Sequence, residues 1–424
     1  MIHTLKSLLW GLPTVSIVLL FGLYFTVRSR AYNIRKLFSI LKNAVCELRS
    51  DIGGIGVSAS MATALGGTIG IGSISGVAVS LASGGPGSIF WMWCAGFLGC
   101  MLKYAETNVA LRYRVRDGDI CSGGAMYALK ACGKPLAGGI FAVSALLASF
   151  GTGNMTQSSA VSVTLAQSGI PVTLTGTLLA FLFLLSVSGG RKTIAKISEK
   201  TVPAAGGIYL LIVTAMIAAK ADRLPSVICD IVSSAFGFRQ ACGGVAGFTV
   251  SAAVRTGVTR CVFSSEMGMG SSPIVHASNE NATPHSQGSW GIIEMMTDVF
   301  VFSSLTAFAL LLHGKTDAEG LFSSVLGKAG TAILPALLAV FGFASIISWC
   351  FYAESCMSYL GFGKAARSIY RVLSACFVFL GSVIGADKVW DISDILNVFM
   401  MIPNLYLLFI KRKEICLCFG KTKQ

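Results

Sequence analysis

The chain is poor in charge. Only 12% of its 424 residues are Asp, Glu, Lys or Arg, whereas 54% are hydrophobic and the mean hydropathy is +0.73. A soluble domain of this length does not need so much apolar content, because part of the apolar residues would then have to lie on its water-exposed surface. Apolar runs recur along the chain, each of about 20 residues, the length that crosses a bilayer. The composition excludes a soluble domain and predicts an all-α polytopic membrane protein.

Metal-binding and catalytic patterns are also scarce. The sequence has four histidines, and its 13 cysteines are scattered without a C-x-x-C pair or a His/Cys group of metal-ligand spacing. No paired carboxylates with a histidine and no nucleophile–base pattern stand out, which argues against a membrane-embedded enzyme and predicts no cofactor. No charge rings or repeated filter sequence favour a channel. A channel or a structural membrane protein remains the alternative to a transporter.

Basic residues outnumber acidic ones by 33 to 19, but their positions follow membrane topology and argue against nucleic acid as a partner. With the amino terminus outside and the carboxyl terminus cytoplasmic, most of them fall into inside loops, as the positive-inside rule requires. We therefore predict a multi-pass protein of an inner or plasma membrane, with the lipid bilayer as a partner. The eleven expected transmembrane helices lie near residues 8–27, 57–83, 88–111, 137–164, 171–188, 202–219, 243–271, 289–312, 331–360, 368–385 and 389–410.

A glycine-rich stretch, GGTIGIGSISG at residues 66–76, occupies the middle of the second expected span. Two explanations are open. Small residues at four-residue spacing allow close packing between membrane helices. Alternatively, the helix is interrupted here, and its unwound backbone lines a cavity where helix ends bind a carboxylate or a cation.

A second stretch, VRTGVTRCVFSSEMGMGSSP at residues 254–273, has the same character and favours the interruption. The sequences that precede the two stretches are similar, and each stretch is followed by a span that begins near a tryptophan. Five spans separate them, so the two copies cross the membrane in opposite directions. Paired interruptions in inverted halves are typical of the central site of secondary transporters. We expect unwound helix near Gly70–Ser73 and Phe263–Gly268.

At this point the residues resemble a known family. The segment ALGGTIGIGSISGVAVSLASGGPGSIFWMWCAGFLGCMLKYAE is similar to the signature region of the alanine or glycine:cation symporters, the sodium:alanine symporter family. Further motifs follow in order over nearly the whole chain: GTGNMTQSSA, GGRKTIAKISEKTVP, TRCVFSSEMGMGSSP, FGFASIISWCFYAESC and VWDISDILNVFMMIPN. The resemblance implies sodium-coupled uptake of a small neutral amino acid, alanine or glycine, by alternating access.

The resemblance also implies a leucine-transporter-type fold, in which two inverted repeats of five helices follow one extra amino-terminal span. Residues 1–56 are then the extra span and a basic amphipathic inside loop. Residues 57–220 and 221–410 are the two repeats, and residues 411–424 are a basic cytoplasmic tail.

Matching the family's motifs gives two sets of site residues. Asn154 and Gln157 share a helix face, and an interhelical polar clamp is their alternative role. The expected cation ligands are the carbonyls of Gly66, Ile69 and Phe341 and the hydroxyl of Ser345. The expected substrate-binding residues are Gly70, Ile71, Gly72, Ser73, Asn154, Gln157, Phe263, Ser265, Glu266 and Trp349.

The sequence departs from the family pattern at polar positions. The family's GTGN is Gly70–Ser73 here, its FSNEAG is FSSEMG, and its adjacent Ser-Thr pair is Ala344-Ser345. These changes remove hydroxyl and amide ligands, so we expect weak sodium affinity or coupling to protons, with Glu266 or Glu354 as the carrier. Asp298, like Glu354, is otherwise expected to bond backbone groups freed near the interruptions.

Charged residues within spans are costly and usually face the interior of a helix bundle. Glu266 has two open roles. The first role is functional: it contacts the substrate amine, orders the interruption or carries a proton. The second role is structural: it neutralises Arg255 or Arg260 in the same segment. Lys103 and Glu106 are three residues apart on one helix, and we expect them to form an ion pair.

Overall fold

The computed structural model describes residues 12–49, 55–117, 120–237, 250–384 and 386–420. The described part of the chain begins with the apolar helix α1, whose carboxyl end leads into two consecutive residues with left-handed backbone, Arg30 and Ala31, at φ 55° and 52°. This turn sends the chain into a short helix and then an amphipathic one. The three helices are α1 (Leu12–Arg28), α2 (Tyr32–Arg35) and α3 (Leu37–Arg49).

The first expected repeat is helical apart from one hairpin, in which strand β1 (Val115–Asp117) pairs antiparallel with β2 (Ile120–Ser122), Val115 opposite Ser122. A π-helical turn, Ser149–Met155, joins α8 to α9. The helices are α4 (Val57–Thr68), α5 (Ile71–Gly84), α6 (Gly87–Arg112), α7 (Ala125–Ala131), α8 (Pro135–Ala148), α9 (Thr156–Gln167), α10 (Val172–Val187) and α11 (Gly190–Ala218).

The second expected repeat has a similar plan. A second π-helical turn, Met296–Ser303, joins α15 to α16, and short 3-10 turns occupy Ala221–Arg223 and Gly327–Ala329. The helices are α12 (Leu224–Ala235), α13 (Val250–Ser265), α14 (Ser272–His276), α15 (Pro284–Met295), α16 (Ser304–His313), α17 (Ala318–Leu326), α18 (Gly330–Tyr359), α19 (Lys364–Val383) and α20 (Ala386–Gly420).

Helix occurs within each of the eleven expected spans, although residues 1–11 and 238–249 lie outside the described part. By length and composition, seven described helical stretches can cross a membrane: Val57–Gly84, Pro135–Gln167, Gly190–Ala218, Pro284–Leu312, Ala318–Tyr359, Lys364–Val383 and Ile395–Cys416. Thr14–Arg28 and Val172–Val187 are shorter apolar helices. The protein is therefore a multi-pass membrane protein, and the number of eleven spans remains a prediction.

Packing places the two glycine-rich stretches side by side at the centre. Helix α5 packs on α13, α4 packs on both α11 and α18, and α6 packs on α13 and α15. Helix α18 carries large side chains that are fully buried, among them Phe341, Trp349 and Tyr352. Apolar side chains such as Phe181 and Leu211 are exposed on the outside of the bundle, where lipid would cover them.

Candidate functional site

The first interruption separates α4 from α5. Helix α4 ends at Thr68, Ile69 is extended at φ −77° and ψ 116°, and Gly70 is extended as well, before α5 begins at Ile71. The predicted interruption is present, but it is shorter than expected, because Ile71 to Ser73 are already helical. At Gly70 an added Cβ would lie 3.3 Å from Ser345 Oγ, so a side chain here would press on α18.

The second interruption follows α13 and covers residues 266–271, somewhat later than the predicted Phe263–Gly268. Its backbone is left-handed at Glu266 (φ 53°), Gly268 (φ 82°) and Gly270 (φ 72°). Left-handed backbone is costly for a residue with a side chain, so the surrounding structure must hold Glu266 in place. Asn404 does part of this, since its Nδ2 donates to the Gly268 carbonyl at 2.9 Å.

A buried aspartate joins the two helices that flank the interruptions, α5 and α13. Asp298 lies in the second π-helical turn and accepts a hydrogen bond of 2.5 Å from the Ser73 hydroxyl of α5. The Ser264 hydroxyl of α13 lies 3.0 Å from each of the Asp298 carboxylate oxygens and 3.2 Å from Ser73 Oγ. Asp298 was expected to bond freed backbone, and that expectation is wrong, because hydroxyls occupy the carboxylate. The contact fixes the spacing between the two broken helices.

Three of the four expected cation ligands, Gly66, Phe341 and Ser345, lie where α18 crosses the first interruption. Ser345 Oγ donates to the Gly66 carbonyl at 2.7 Å. A Cβ placed on Gly70 would lie 3.9 Å from the Phe341 carbonyl oxygen, and Ile69 is the buried residue before it. Three carbonyls and a hydroxyl are oxygen ligands of the kind that hard cations take, so the donor chemistry fits sodium.

Several polar groups near this crossing are buried and have no hydrogen-bond partner among the described residues. They are both side-chain polar atoms of Asn154, Oε1 of Gln157 and the hydroxyl of Tyr352. An unsatisfied buried polar group costs about 1–3 kcal/mol, so such a concentration is typical of a site that receives a polar ligand or water. Asn154 lies in the first π-helical turn, a distortion that is frequent at functional sites.

These orphaned groups form one neighbourhood. The rings of Trp349 and Tyr352 are 5.5 Å apart, and Gly153 leaves no room for a Cβ because Trp349 packs directly against it. The Tyr352 hydroxyl lies against Gly67, one residue before the end of α4. The predicted substrate residues Asn154, Gln157 and Trp349 are therefore grouped around the first interruption.

The remaining predicted substrate residues lie on or after α13. Ser265 donates its hydroxyl to the Cys261 carbonyl at 2.7 Å, so its neighbour Ser264 is the serine that reaches the central aspartate. Phe263 is half-buried. Glu266 is buried and accepts a hydrogen bond of 2.5 Å from the Ser271 hydroxyl, a contact that ties one end of the second interruption to the other.

Lys103 does not pair with Glu106, which corrects the sequence-based expectation. Its ammonium lies 3.2 Å from Glu294 of α15 and donates to Ser272 Oγ at 2.6 Å. Glu106 instead accepts from Asn404 Nδ2 at 2.5 Å. The spacing on one helix allowed the pair, but Glu294 of α15 and Ser272 bind the ammonium, while Asn404 binds Glu106.

Glu294 is the centre of this buried group. Its carboxylate also accepts from Ser272 at 3.1 Å and lies 3.1 Å from His276 Nε2, while His276 Nδ1 is 2.7 Å from Gln287 Oε1. Helices α6, α14 and α15 are joined here directly behind the second interruption. Glu354 is elsewhere and contacts the Arg371 guanidinium at 2.6 Å, so the expectation that it bonds freed backbone is wrong.

Sequence reasoning missed two groups of the central site, Ser264 and Tyr352. A signal for Ser264 existed, since a helix turns about 100° per residue and only one of two adjacent serines faces a given neighbour. Which one faces inward depends on the rotation of α13, which the sequence does not fix. Tyr352 is three residues after Trp349 on α18, so it shares the face that lines the interruption.

Solved structures of the same architecture define the class of protein. The chain matches the structure of MhsT in complex with L-phenylalanine with a TM-score of 0.61 and 14% identity, over 86% of this chain and 91% of that one. It matches a manganese transporter of Eremococcus coleocola with a TM-score of 0.55 and 15% identity, over 85% and 78%. This fold, with its paired interruptions, is that of leucine-transporter-type membrane transporters, as predicted.

The particular family follows from the sequence comparison. The sodium:alanine symporter family matches residues 1–418. The chain is 34% identical to an uncharacterized transporter of Haemophilus influenzae, over 98% of this chain and 94% of the relative. It is 33% identical to the sodium/alanine symporter AgcS of Methanococcus maripaludis, over 96% and 93%, and 33% identical to the probable sodium/glutamine symporter GlnT of Bacillus subtilis, over 97% and 87%. The chain belongs to the sodium:alanine symporter family, so it is a transporter and not an enzyme.

Proposed function

We propose that the protein imports a small neutral amino acid, alanine or glycine, together with sodium by alternating access. The proposed setting is an inner or plasma membrane, with the amino terminus outside and the carboxyl terminus in the cytoplasm. The observation that carries the proposal is the group of orphaned buried polar atoms of Asn154, Gln157 and Tyr352, beside the interruption between α4 and α5. An amino acid supplies the donors and acceptors that these groups lack.

The amino end of α5 is suited to the substrate carboxylate. The first N–H groups of a helix have no intrahelical partner, and the helix dipole favours negative charge there. Gly70 at the cap has no side chain to satisfy these groups. The carboxylate then lies against Gly70, Ile71 and Gly72, and the amide groups of Asn154 and Gln157 complete its surroundings.

The size of the substrate is proposed to depend on Trp349. Its side chain is fully buried, packs on Gly153 and stands beside Tyr352, so it is held rigidly as a wall of the site. A rigid wall excludes long side chains and favours alanine or glycine. Because the relatives include one named for alanine and one named for glutamine, which has a longer side chain, Trp349 is the residue whose effect on substrate size should be tested.

The coupling ion is proposed to bind between the Gly66, Ile69 and Phe341 carbonyls and the Ser345 hydroxyl. Ala344 also faces this crossing, since its Cβ would be 3.4 Å from a Cβ on Gly66. A hydroxyl at position 344 would add an oxygen, and its absence predicts weak sodium affinity.

Proton coupling is the second candidate, and one observation favours it. Lys103 is buried and contacts Glu294 at 3.2 Å, and two further carboxylates, those of Glu106 and Glu266, are buried as well. Several uncompensated charges at membrane depth are costly, so at least one of these acids is expected to carry a proton. Glu266 is the better carrier of the two proposed from sequence, because Glu354 is already neutralised by Arg371.

Uptake of labelled alanine and glycine into proteoliposomes tests the function. Sodium and proton gradients are imposed separately and compared with no gradient. Saturable uptake driven by sodium supports the proposal, whereas uptake driven by protons alone supports the second candidate. Non-saturable uptake that needs neither gradient would contradict both and favour a channel. An Asn154→Ala variant is expected to raise the alanine concentration for half-maximal uptake by about tenfold, the effect of losing roughly 1.4 kcal/mol.

A further inference from the structure

Helix α3 presents an apolar stripe to the outside of the molecule. Phe38, Leu41, Val45 and Leu48 follow one another at intervals of three and four residues, which places them on one helix face. All four side chains are exposed, and Phe38 is 89% exposed. The stripe is too short to cross a membrane, since α3 has 13 residues.

A second face of α3 is fastened to the transporter. Ala44 packs with Met61 of α4 and Trp290 of α15. The Glu47 carboxylate accepts hydrogen bonds of 2.8 Å from both Trp290 Nε1 and Ser286 Oγ. These contacts hold the helix in a fixed orientation, in which its apolar stripe points away from the protein.

The charge around the stripe is of one sign. Arg28, Arg30, Arg35, Lys36 and Lys42 are all exposed along the chain from the end of α1 into α3. The only acidic residue of the sequence from 28 to 49 is Glu47, which is engaged with α15. An apolar stripe beside exposed cations is complementary to a membrane surface that contains anionic lipid. A second copy of the chain would instead bring like charges together.

We propose that α2 and α3 lie in the membrane interface and bind anionic phospholipid headgroups, with the stripe of α3 inserted between the acyl chains. The position fits, because α1 ends at Arg28 and the left-handed residues Arg30 and Ala31 turn the chain from the span into the interface. Lys36 and Lys42 contact the headgroups. Because α3 packs on α4, lipid binding is expected to steady the start of the broken helix as well.

Hydrogen–deuterium exchange of the full chain in nanodiscs tests the proposal. Nanodiscs of phosphatidylcholine alone are compared with nanodiscs of an equimolar mixture of phosphatidylcholine and phosphatidylglycerol. We expect slower exchange of residues 37–49 in the mixture, by about fivefold for each cation engaged, and smaller slowing in residues 57–68. The Lys36→Gln/Lys42→Gln variant should reduce this difference by the share of the two lysines, while Arg28, Arg30 and Arg35 keep the remainder.

A matched variant serves as control. Lys134→Gln/Lys364→Gln removes two exposed lysines from other loops expected on the same side, and it should keep the lipid difference of residues 37–49. Unchanged exchange in α18 shows that each variant is folded. Phe38→Gln/Val45→Gln should speed exchange of α3 in both lipids. Equal exchange of wild-type α3 in both lipids, or a full lipid difference in Lys36→Gln/Lys42→Gln, would overturn the proposal. Dimers with lipid-independent protection would assign the stripe to a second copy and overturn it too.

Discussion

Two serines of α18 allow the proposed cation site to be separated from ordinary helix packing. Ser345 donates to the Gly66 carbonyl at 2.7 Å, and Ser348, one turn later, donates to the Thr63 carbonyl at 2.8 Å. Both bonds join α18 to α4 and both are buried. Ser345 alone lies beside the interruption at Gly70.

Replacing either serine with alanine removes one buried hydrogen bond, so each variant should lose about 1 kcal/mol of stability. Ser345→Ala should also lose an oxygen contact to a charged ion, an interaction of about 1.5–3 kcal/mol, which corresponds to roughly a 10- to 150-fold higher sodium concentration for half-maximal uptake. Ser348→Ala should leave that sodium concentration unchanged. The assay is initial alanine uptake into proteoliposomes over a sodium series, with thermal melting of both variants.

The comparison of the two variants separates cation binding at Ser345 from helix packing. If Ser345→Ala and Ser348→Ala shift the sodium dependence equally, the effect comes from packing between α4 and α18. If Ser345→Ala leaves the sodium dependence as in the wild type, the cation binds elsewhere.

Three further predictions concern the neighbouring groups. Ala344→Thr should lower the sodium concentration for half-maximal uptake, because it adds an oxygen; an unchanged or higher value would contradict the ligand assignment. Trp349→Ala should admit larger amino acids or weaken alanine uptake, measured by competition with unlabelled amino acids; unchanged kinetics for all of them would remove Trp349 from the site. Asp298→Asn should lower the maximal uptake rate at least tenfold, because a neutral amide holds the Ser73 and Ser264 hydroxyls less firmly. A normal uptake rate at a normal amount of protein would show that the Asp298 contacts with Ser73 and Ser264 are not needed for transport.

The sequence was most informative where backbone chemistry limits the choices. Glycines at 70 and 268 indicated both interruptions, because unwound backbone at membrane depth needs residues without side chains or with unusual backbone angles. Family resemblance brought Gly66, Phe341 and Ser345 to one crossing, and the structure places them together.

Tertiary partners were harder to predict. Lys103 was assigned to Glu106 because the two residues share a helix, whereas its partner Glu294 is 191 residues away. Ser265 was named because it stands where the family motif has Asn, whereas Ser264 is the serine that contacts Asp298, since the rotation of α13 is set by packing against α5 and not by local sequence. Side-chain contacts between distant helices leave no periodic pattern in the sequence, so neither contact could be predicted from it.

Reciprocal coupling tests the central claim most directly, since two solutes that move together must each be able to drive the other. Proteoliposomes are loaded with sodium at the outside concentration, and an inward alanine gradient is imposed while the membrane potential is clamped. The account predicts that labelled sodium then accumulates inside, and that Ser345→Ala reduces this accumulation while Ser348→Ala does not. Alanine entry without any accompanying sodium movement would contradict the account.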